Sequence, residues 1–152
     1  MNGLILVGLG CAVHLFLLYH FNFTQDDAYI SFRYAQNFVD GRGLVYNAGE
    51  RIEGYTNFLW TIWLVLGRLA GFDLALFSKV LGACFGLATI LMLFRLGGIV
   101  TADESGRPNP ILAGAACLVL GTTYAFAYWT VAWLETAAFT FMLTAAMVAF
   151  YR

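Results

Sequence analysis

The sequence predicts an all-α fold: a polytopic bundle of transmembrane helices with one amphipathic helix lying in the membrane interface. Three observations predict it. Hydrophobic residues make up 61% of the chain and charged residues 11%, against about 25% charged in soluble domains. The mean hydropathy is +0.76, and the apolar residues fall in long runs of the kind that cross bilayers. Between the first two runs, residues 24–60 form a polar island. It holds five of the nine carboxylates (Asp26, Asp27, Asp40, Glu50 and Glu53) and three of the eight basic residues (Arg33, Arg42 and Arg51). The rest of the chain is expected to hold this island at a bilayer surface. The formal net charge of -1 argues against nucleic acid as a partner, which selects a basic face.

The elements follow in order. Gly3 to Phe21 is apolar and close to the ~20 residues that a hydrocarbon core of ~30 Å demands, with Tyr19, His20 and Phe21 as an aromatic interface end. It has no basic leader and no A-x-A-like site, so it reads as a retained span and not as a cleaved signal peptide. The span is placed at about 3–22. His14 and His20 on it read as packed or interface-facing imidazoles. Cys11, Cys84 and Cys117 lie in apolar runs and read as core packing.

Thr24-Gln25-Asp26-Asp27 fits a capping box, Thr followed three residues on by an acid, and predicts a helix over 25–39. On a helical wheel Ala28, Phe32, Tyr34, Ala35, Phe38 and Val39 gather on one side, and Arg33, Gln36, Asn37 and Asp40 on the other. This is the amphipathic, interfacial helix, closed by Gly41 and Gly43. The loop continues to residue 56, with a turn at Asn47-Ala48-Gly49.

Further spans are placed at 57–72, 74–97, 110–127 and 136–151. The run at 57–72 is short, ~22 Å as a helix at 1.5 Å per residue, and ends in a tight turn at Gly71-Phe72-Asp73. The next run carries Gly82-x-x-x-Gly86, a spacing of small residues that lets helix backbones approach. Thr101 to Pro110 is a solvated linker carrying Asp103, Glu104 and Arg107. Ile111 to Phe150 would span ~60 Å as one helix, so it must fold back, and the turn is expected among Tyr124, Phe126, Tyr128, Trp129 and Trp133. Glu135, the one charge in this run, then falls near an interface, where it avoids the ~2.5–3.5 kcal/mol an acid costs at mid-membrane. All 152 residues read as a single transmembrane module.

Three linked motifs carry a family resemblance. They are Asp26-Asp27-Ala28-Tyr29-Ile30-Ser31-Phe32-Arg33-Tyr34-Ala35, then Gly41-x-Gly43-Leu44-Val45-Tyr46-Asn47, then Glu50-Arg51-x-Glu53-Gly54-Tyr55-Thr56-Asn57-x-Leu59-Trp60. Together they resemble the first external loop of C-type polytopic glycosyltransferases, in the branch that includes the mycobacterial arabinofuranosyltransferases using decaprenyl-phosphate-arabinose. Leu134-Glu135-Thr136-Ala137 is similar to that branch's Gly-Leu-Glu-Thr stretch. Ala132-Trp133 stands where Ser-Gly is expected, and Phe58 where Pro is common. Such enzymes are several times longer, so the resemblance implies that this chain covers their N-terminal portion.

The resemblance also implies chemistry: a polyprenyl-phosphate sugar donor, a glycan acceptor hydroxyl, inversion at the anomeric carbon, and an acidic residue of the first external loop as general base. A divalent metal (Mg, Mn or Ca) sometimes sits near that acid. A hydroxyl nucleophile needs a carboxylate within hydrogen-bond reach, and a phosphate leaving group needs positive charge. Asp27 and Asp26 are the candidate catalytic pair, and the candidate metal ligands if a metal is present. Arg33, Glu53, Tyr55, Asn57 and Glu135 are the candidate substrate-binding residues.

Each candidate has a structural alternative. Asp27 would cap its own helix, and Asp26 would complement the helix dipole. Arg33 would contact lipid headgroups or solvent. Glu50 and Glu53 would order the loop against Arg51 or Arg42, and Glu135 would anchor the interface.

Membrane lipid is an expected partner, and a further chain completing the transmembrane fold is a possible one. The expected location is a bacterial inner or plasma membrane, with the loop outside. If every run crosses, three crossings separate the loop from Glu135 and put them on opposite faces; they can share a site only if one run does not fully cross, and the short 57–71 run is the suspect. Full crossing also puts Arg33, Arg42, Arg51, Arg95, Arg107 and Arg152 on the loop's face and leaves Arg68 and Lys79 on the other. Taken literally, that count makes the loop cytoplasmic; the external placement follows the resemblance. The function readings are a membrane-embedded glycosyltransferase, a non-catalytic membrane subunit that binds lipid-linked glycan or scaffolds a partner, and, as a distant third, a transporter half, whose spans would be expected to carry buried charge pairs.

Overall fold

Seven α-helices form around two long apolar rods in the computed structural model, which describes residues 2–21 and 23–151. They are α1 (Asn2–Phe21), α2 (Ala28–Val39), α3 (Phe58–Leu69), α4 (Leu74–Val100), α5 (Pro110–Thr122), α6 (Tyr124–Val131) and α7 (Thr136–Phe150), with no strand among the described residues. α1 and α4, of 20 and 27 residues, are long and apolar enough to cross a membrane. α5 and α6 pass the same test together as one span bent by 61°. This is an all-α membrane protein. The expected first-span boundary at Asn22 and the Arg152 of the charge count lie outside the described residues.

Glycines set how the rods pack. α1 and α5 run parallel, with Gly3 against Pro110 and Gly114, and Gly10 against Cys117 and Gly121. A Cβ on Gly10 would sit 2.8 Å from the Cys117 carbonyl oxygen, so this approach admits no side chain there. The sequence reading picked out only Gly82-x-x-x-Gly86. Those two glycines do mark a close approach, Gly82 facing the Thr130 carbonyl and Gly86 the His14 ring. His14 is fully buried and stacks on Phe126 at 4.7 Å. α4 runs antiparallel to α5, with Gly97 on Ala113 and Ile90 beside Cys117. α7 starts near Leu74, where Ala138 joins its cluster, and passes Arg95 and Gly98 at Val148.

The helix packing bears on the suspected short run. α3 has only 12 residues, ~18 Å, and both its ends lie on the loop's side. Its N-terminal neighbour Asn57 bonds Glu135, and Arg68 Nε donates to Gln36 Oε1 of α2 at 2.8 Å. The 57–72 run therefore turns back without crossing. α4 leaves the loop face, α5 and α6 return to it, and Glu135 comes out beside the loop. The charge count changes with it. Arg68 and Lys79 join Arg33, Arg42 and Arg51 on the loop face, and Arg95 and Arg107 lie at the opposite end of the bundle.

Other local expectations shift for identifiable reasons. The fold-back falls at 132–135, while Tyr124, Phe126, Tyr128 and Trp129 are helical in α6. At the break, the Thr122 and Thr123 hydroxyls donate to the Leu118 and Val119 carbonyls. α2 starts at Ala28, not 25, because Asp27 occupies its N-cap position with no side-chain cap bond and Thr24 caps nothing. The α2 wheel is right for Ala28, Phe32, Tyr34 and Ala35, which are buried, and reversed for Phe38, 45% exposed, and Asn37, 1% exposed. The buried amide is satisfied because the chain folds back over it: Asn37 Nδ2 donates to the Val45 and Tyr46 carbonyls, each at 2.8 Å. The expected stops hold. Gly41 and Gly43 close α2 with φ of +77° and +86°, and Asp73 caps α4 by accepting from the Leu76 amide at 2.8 Å.

Candidate functional site

Three helix termini meet at the loop face: the N-termini of α2, α3 and α7. Asp27 stands at the first, Asn57 at the second and Glu135 at the third. Between them lies a cleft of about 320 Å3, lined by Asp27, Ser31, Tyr55, Thr56, Asn57 and Glu135 among others. Helix N-termini present free amides and a partial positive charge, which favours carboxylates or an anionic ligand there.

Asn57 ties the three helices together. Its Nδ2 donates to Glu135 Oε2 at 2.9 Å and to Ser31 Oγ at 3.0 Å. Its Oδ1 lies 3.1 Å from Ser31 Oγ and accepts from Thr61 Oγ1 at 3.2 Å. Ser31 and Thr61 are buried at 2% and 0% exposure, so the network is dry on its inner side, while Asn57 and Glu135 line the open cleft. One Glu135 oxygen is thereby oriented into the cleft wall. The Asp27 carboxylate makes no hydrogen bond among the described residues, and Asp27 lines the cleft. Asp26 differs: its Oδ1 accepts from the Asp27 amide at 3.1 Å, and it does not line the cleft.

Tyr55 forms a side wall. Its ring meets Tyr34 edge-on at 4.5 Å. Burial, then the nearby Glu53 carboxylate, then Tyr34 push its phenol above the usual tyrosine value, so it is neutral and can donate at pH 7. Tyr34 braces the segment from behind, its hydroxyl donating to the Ile52 carbonyl at 2.8 Å and accepting from the Gly54 amide at 2.9 Å. Sequence reading placed Tyr34 only on an apolar face and gave Ser31 no role. Both lie in the first motif, and the one signal available was a hydroxyl on the helix face that the pattern buries.

The structure brings Asp27, Tyr55, Asn57 and Glu135 together, and leaves Arg33, Glu53 and Asp26 outside the cleft. Arg33 lies in a separate cavity with Tyr29, Gln36 and Tyr46, its Nε donating to the Tyr46 carbonyl at 3.2 Å. Glu53 shares a cavity with Arg42 and Arg51. The expected loop ion pairs are replaced: Glu50 accepts from Asn47 Nδ2 at 3.1 Å, and Arg42 pairs with Asp40 at 3.6 Å. No group of three or more His, Cys, Asp or Glu suited to a metal stands among the described residues. A divalent ion at Asp27 would take most of its oxygens from water and substrate, as Mg does.

Behind Asn57 the cleft meets a second, mostly apolar groove of about 360 Å3 between α3 and α7. Thr56, Asn57 and Glu135 line both, and Phe58, Trp63 and Phe139 line the groove but not the cleft. A polar chamber with two carboxylates therefore opens onto an apolar channel.

The peptide turn that delivers Glu135 is strained. Trp133 adopts φ +66°, the one non-glycine residue with positive φ among the described residues, a costly state for a bulky side chain. Its carbonyl accepts from Trp60 Nε1 at 3.2 Å, its ring stacks on Phe32 at 5.9 Å, and Lys79 Nζ lies 5.7 Å over the ring.

No family model and no solved structure matches the chain. Among curated proteins, the terminal beta-(1->2)-arabinofuranosyltransferase of Mycobacterium tuberculosis (strain ATCC 25618 / H37Rv) is 32% identical to it over 96 residues. The match covers 62% of this chain and 14% of that protein, so the chain corresponds to a small part of the relative's length.

Proposed function

We propose that this chain is the N-terminal part of a membrane glycosyltransferase that moves a sugar, a pentose such as arabinofuranose, from polyprenyl phosphate to a cell-envelope glycan. The observation that carries the reading is the shared wall of Thr56, Asn57 and Glu135 between a carboxylate-lined cleft and an apolar groove. A lipid-phosphate sugar is built the same way, with a polyol at one end of a phosphate and hydrocarbon at the other. The sugar occupies the cleft and the first isoprene units follow the groove between α3 and α7.

Asp27 is the general base. As the acceptor oxygen bonds to the anomeric carbon, its proton passes to the Asp27 carboxylate. The bond from that carbon to the phosphate oxygen breaks, the electron pair leaves with the phosphate, and the configuration inverts. A carboxylate placed this way contributes typically 10²–10⁴ in rate. Glu135, held by Asn57, orients sugar hydroxyls across the cleft, and Tyr55 donates from the side. A bound divalent ion would supply positive charge to the phosphate, with Asp27 as the ligand in reach and Asp26 beside it.

A second reading is supported by the cleft's lack of any cation among its lining residues. In it the chain is a non-catalytic membrane subunit that binds lipid-linked glycan, and a further chain supplies the phosphate-stabilising charge. The deciding experiment is transfer from a radiolabelled polyprenyl-phosphate pentose, using membranes that express the natural gene product. Release of polyprenyl phosphate that depends on Asp27 supports the transferase, and binding of the donor without release supports the subunit. We place the protein in a bacterial plasma membrane with the loop face outside.

A further inference from the structure

A third cavity, of about 580 Å3, shares Tyr55 with the Asp27 cleft and Phe58 with the groove between α3 and α7. Its charged residues are Arg42, Arg51 and Glu53. We propose that this cavity binds an uncharged glycan, the acceptor in the transferase reading, and that Arg51 and Glu53 select the ligand for its lack of charge. The acceptor role rests on that reading; the uncharged, hydroxyl-rich character of the ligand follows from the walls.

The charges of the walls cancel. Arg42 is engaged within the protein: Nη2 pairs with Asp40 at 3.6 Å and Nη1 donates to Asn37 Oδ1 at 3.0 Å. Arg51 and Glu53 are exposed. The ion pairs among the described residues are Arg42–Asp40 and Arg107–Asp103, so these two are not paired with each other. One guanidinium and one carboxylate therefore remain for a ligand. An anion drawn to Arg51 meets Glu53, and a cation drawn to Glu53 meets Arg51. An apolar ligand would strip water from both and replace none of its hydrogen bonds. A polyol satisfies the two together, because each hydroxyl donates and accepts. One hydroxyl donates to the Glu53 carboxylate while a neighbour accepts from the Arg51 fork, and both bonds are charge-assisted.

The rest of the wall suits a sugar ring. The Tyr55 and Phe58 rings lie 20° from parallel with centroids 6.4 Å apart, and Phe58 is 57% exposed. They form a flat apolar floor for the C–H face of a sugar. Burial and then the Glu53 carboxylate push the Tyr55 phenol up, which places that carboxylate beside the ring. Polar groups and floor thus converge on one spot. Because Tyr55 walls both spaces, a glycan lying over it reaches the Asp27 cleft with its last sugar.

The test uses the natural gene product in nanodiscs and two probes. One is the methyl glycoside of a neutral pentose disaccharide. The other carries a carboxylate in place of the primary alcohol of its inner sugar. Calorimetry gives Kd for each probe, and transfer at saturating polyprenyl-phosphate pentose gives acceptor KM. The variants are Arg51→Gln, Glu53→Gln and, as control, Arg107→Gln at the opposite end of the bundle. Arg51 and Glu53 have no protein partner to lose, so their variants separate binding from folding. Losing one charge-assisted contact is worth about tenfold in affinity. Wild type should favour the neutral probe, and Arg51→Gln and Glu53→Gln should each weaken it about tenfold in Kd and KM. The carboxylate probe should split the pair: about tenfold tighter in Glu53→Gln, where Arg51 stands unopposed, and weaker in Arg51→Gln. Arg107→Gln should match wild type with both probes. A merely structural role would move both probes the same way. Neutral-probe affinity within twofold of wild type in both variants, or carboxylate-probe shifts of one direction in both, overturns the site. Failure of the transferase reading looks different: no transfer that depends on Asp27, with the opposite shifts in Kd intact, supports the cavity as a glycan-binding site.

Discussion

Asn57 and Glu135 are 78 residues apart in sequence, and Asn57 Nδ2 donates to Glu135 Oε2 at 2.9 Å. The bond joins the start of α3 to the start of α7 and carries the Ser31 and Thr61 hydroxyls with it. Asn57→Ala strands these partners in a part-buried site, at a cost of about 1–3 kcal/mol. In a double-mutant cycle with Glu135→Ala, which removes the acceptor, melting in nanodiscs should show a coupling above ~0.5 kcal/mol. Additive losses would mean that the two side chains do not interact.

The two aspartates should separate. Asp27 has no cap bond, so Asp27→Asn should leave melting unchanged while removing ~99% or more of transfer in the natural gene product. Asp26 turns to the Asp27 amide, so Asp26→Asn should keep transfer within about tenfold, a loss of ~1 kcal/mol of positioning. Near wild-type transfer by Asp27→Asn would remove it as the base.

Trp133 gives a test of backbone strain with a definite order. Trp133→Ala and Trp133→Gly both lose the ring contacts with Phe32 and Lys79, and only glycine accepts φ +66° without a Cβ penalty. The glycine variant should therefore be the more stable of the two by ~1 kcal/mol. Equal melting temperatures would show that the left-handed turn is absent.

The α1–α5 contact predicts a contrast between glycines of one helix. At Gly8 an added Cβ meets nothing within 4 Å, whereas at Gly10 it meets the Cys117 carbonyl at 2.8 Å. Gly8→Leu should be tolerated, and Gly10→Leu should cost at least ~2 kcal/mol by forcing the helices apart. Comparable thermal stability of the two variants would contradict the parallel packing.

Orientation is best probed where the chain is exposed. Ser31 and Asn37 are buried at 2% and 1%, so cysteines there would be silent from either side. Ala48→Cys and Glu104→Cys lie on exposed segments at opposite ends of the bundle. With Cys11, Cys84 and Cys117 replaced, an impermeant maleimide should label position 48 and spare position 104 in intact cells. The reverse pattern would put the loop in the cytoplasm, as the basic residues on its face suggest by themselves.

The class of the protein was legible from composition and run length, because apolar stretches of membrane length have few other uses. So were the loop as the place where polar groups gather, the glycine stops of α2 and the turn before α4, each set by its own few residues. What only the tertiary structure decided is which side each segment ends on. The ~22 Å length of 57–71 as a helix marks it as the run suspected of not crossing fully; it does not report that Asn57 is held by Glu135 and Arg68 by Gln36, contacts spanning 78 and 32 residues. Those two bonds turn a nominal crossing into a return, bring Glu135 to the face of Asp27 and build the cleft. The same holds for Arg33, which shares a helix with Asp27 but projects from another side of it, where the Tyr46 carbonyl takes its Nε. Helical spacing fixes the angle between two side chains on one helix; the packing of the other helices decides which of those angles opens onto a site.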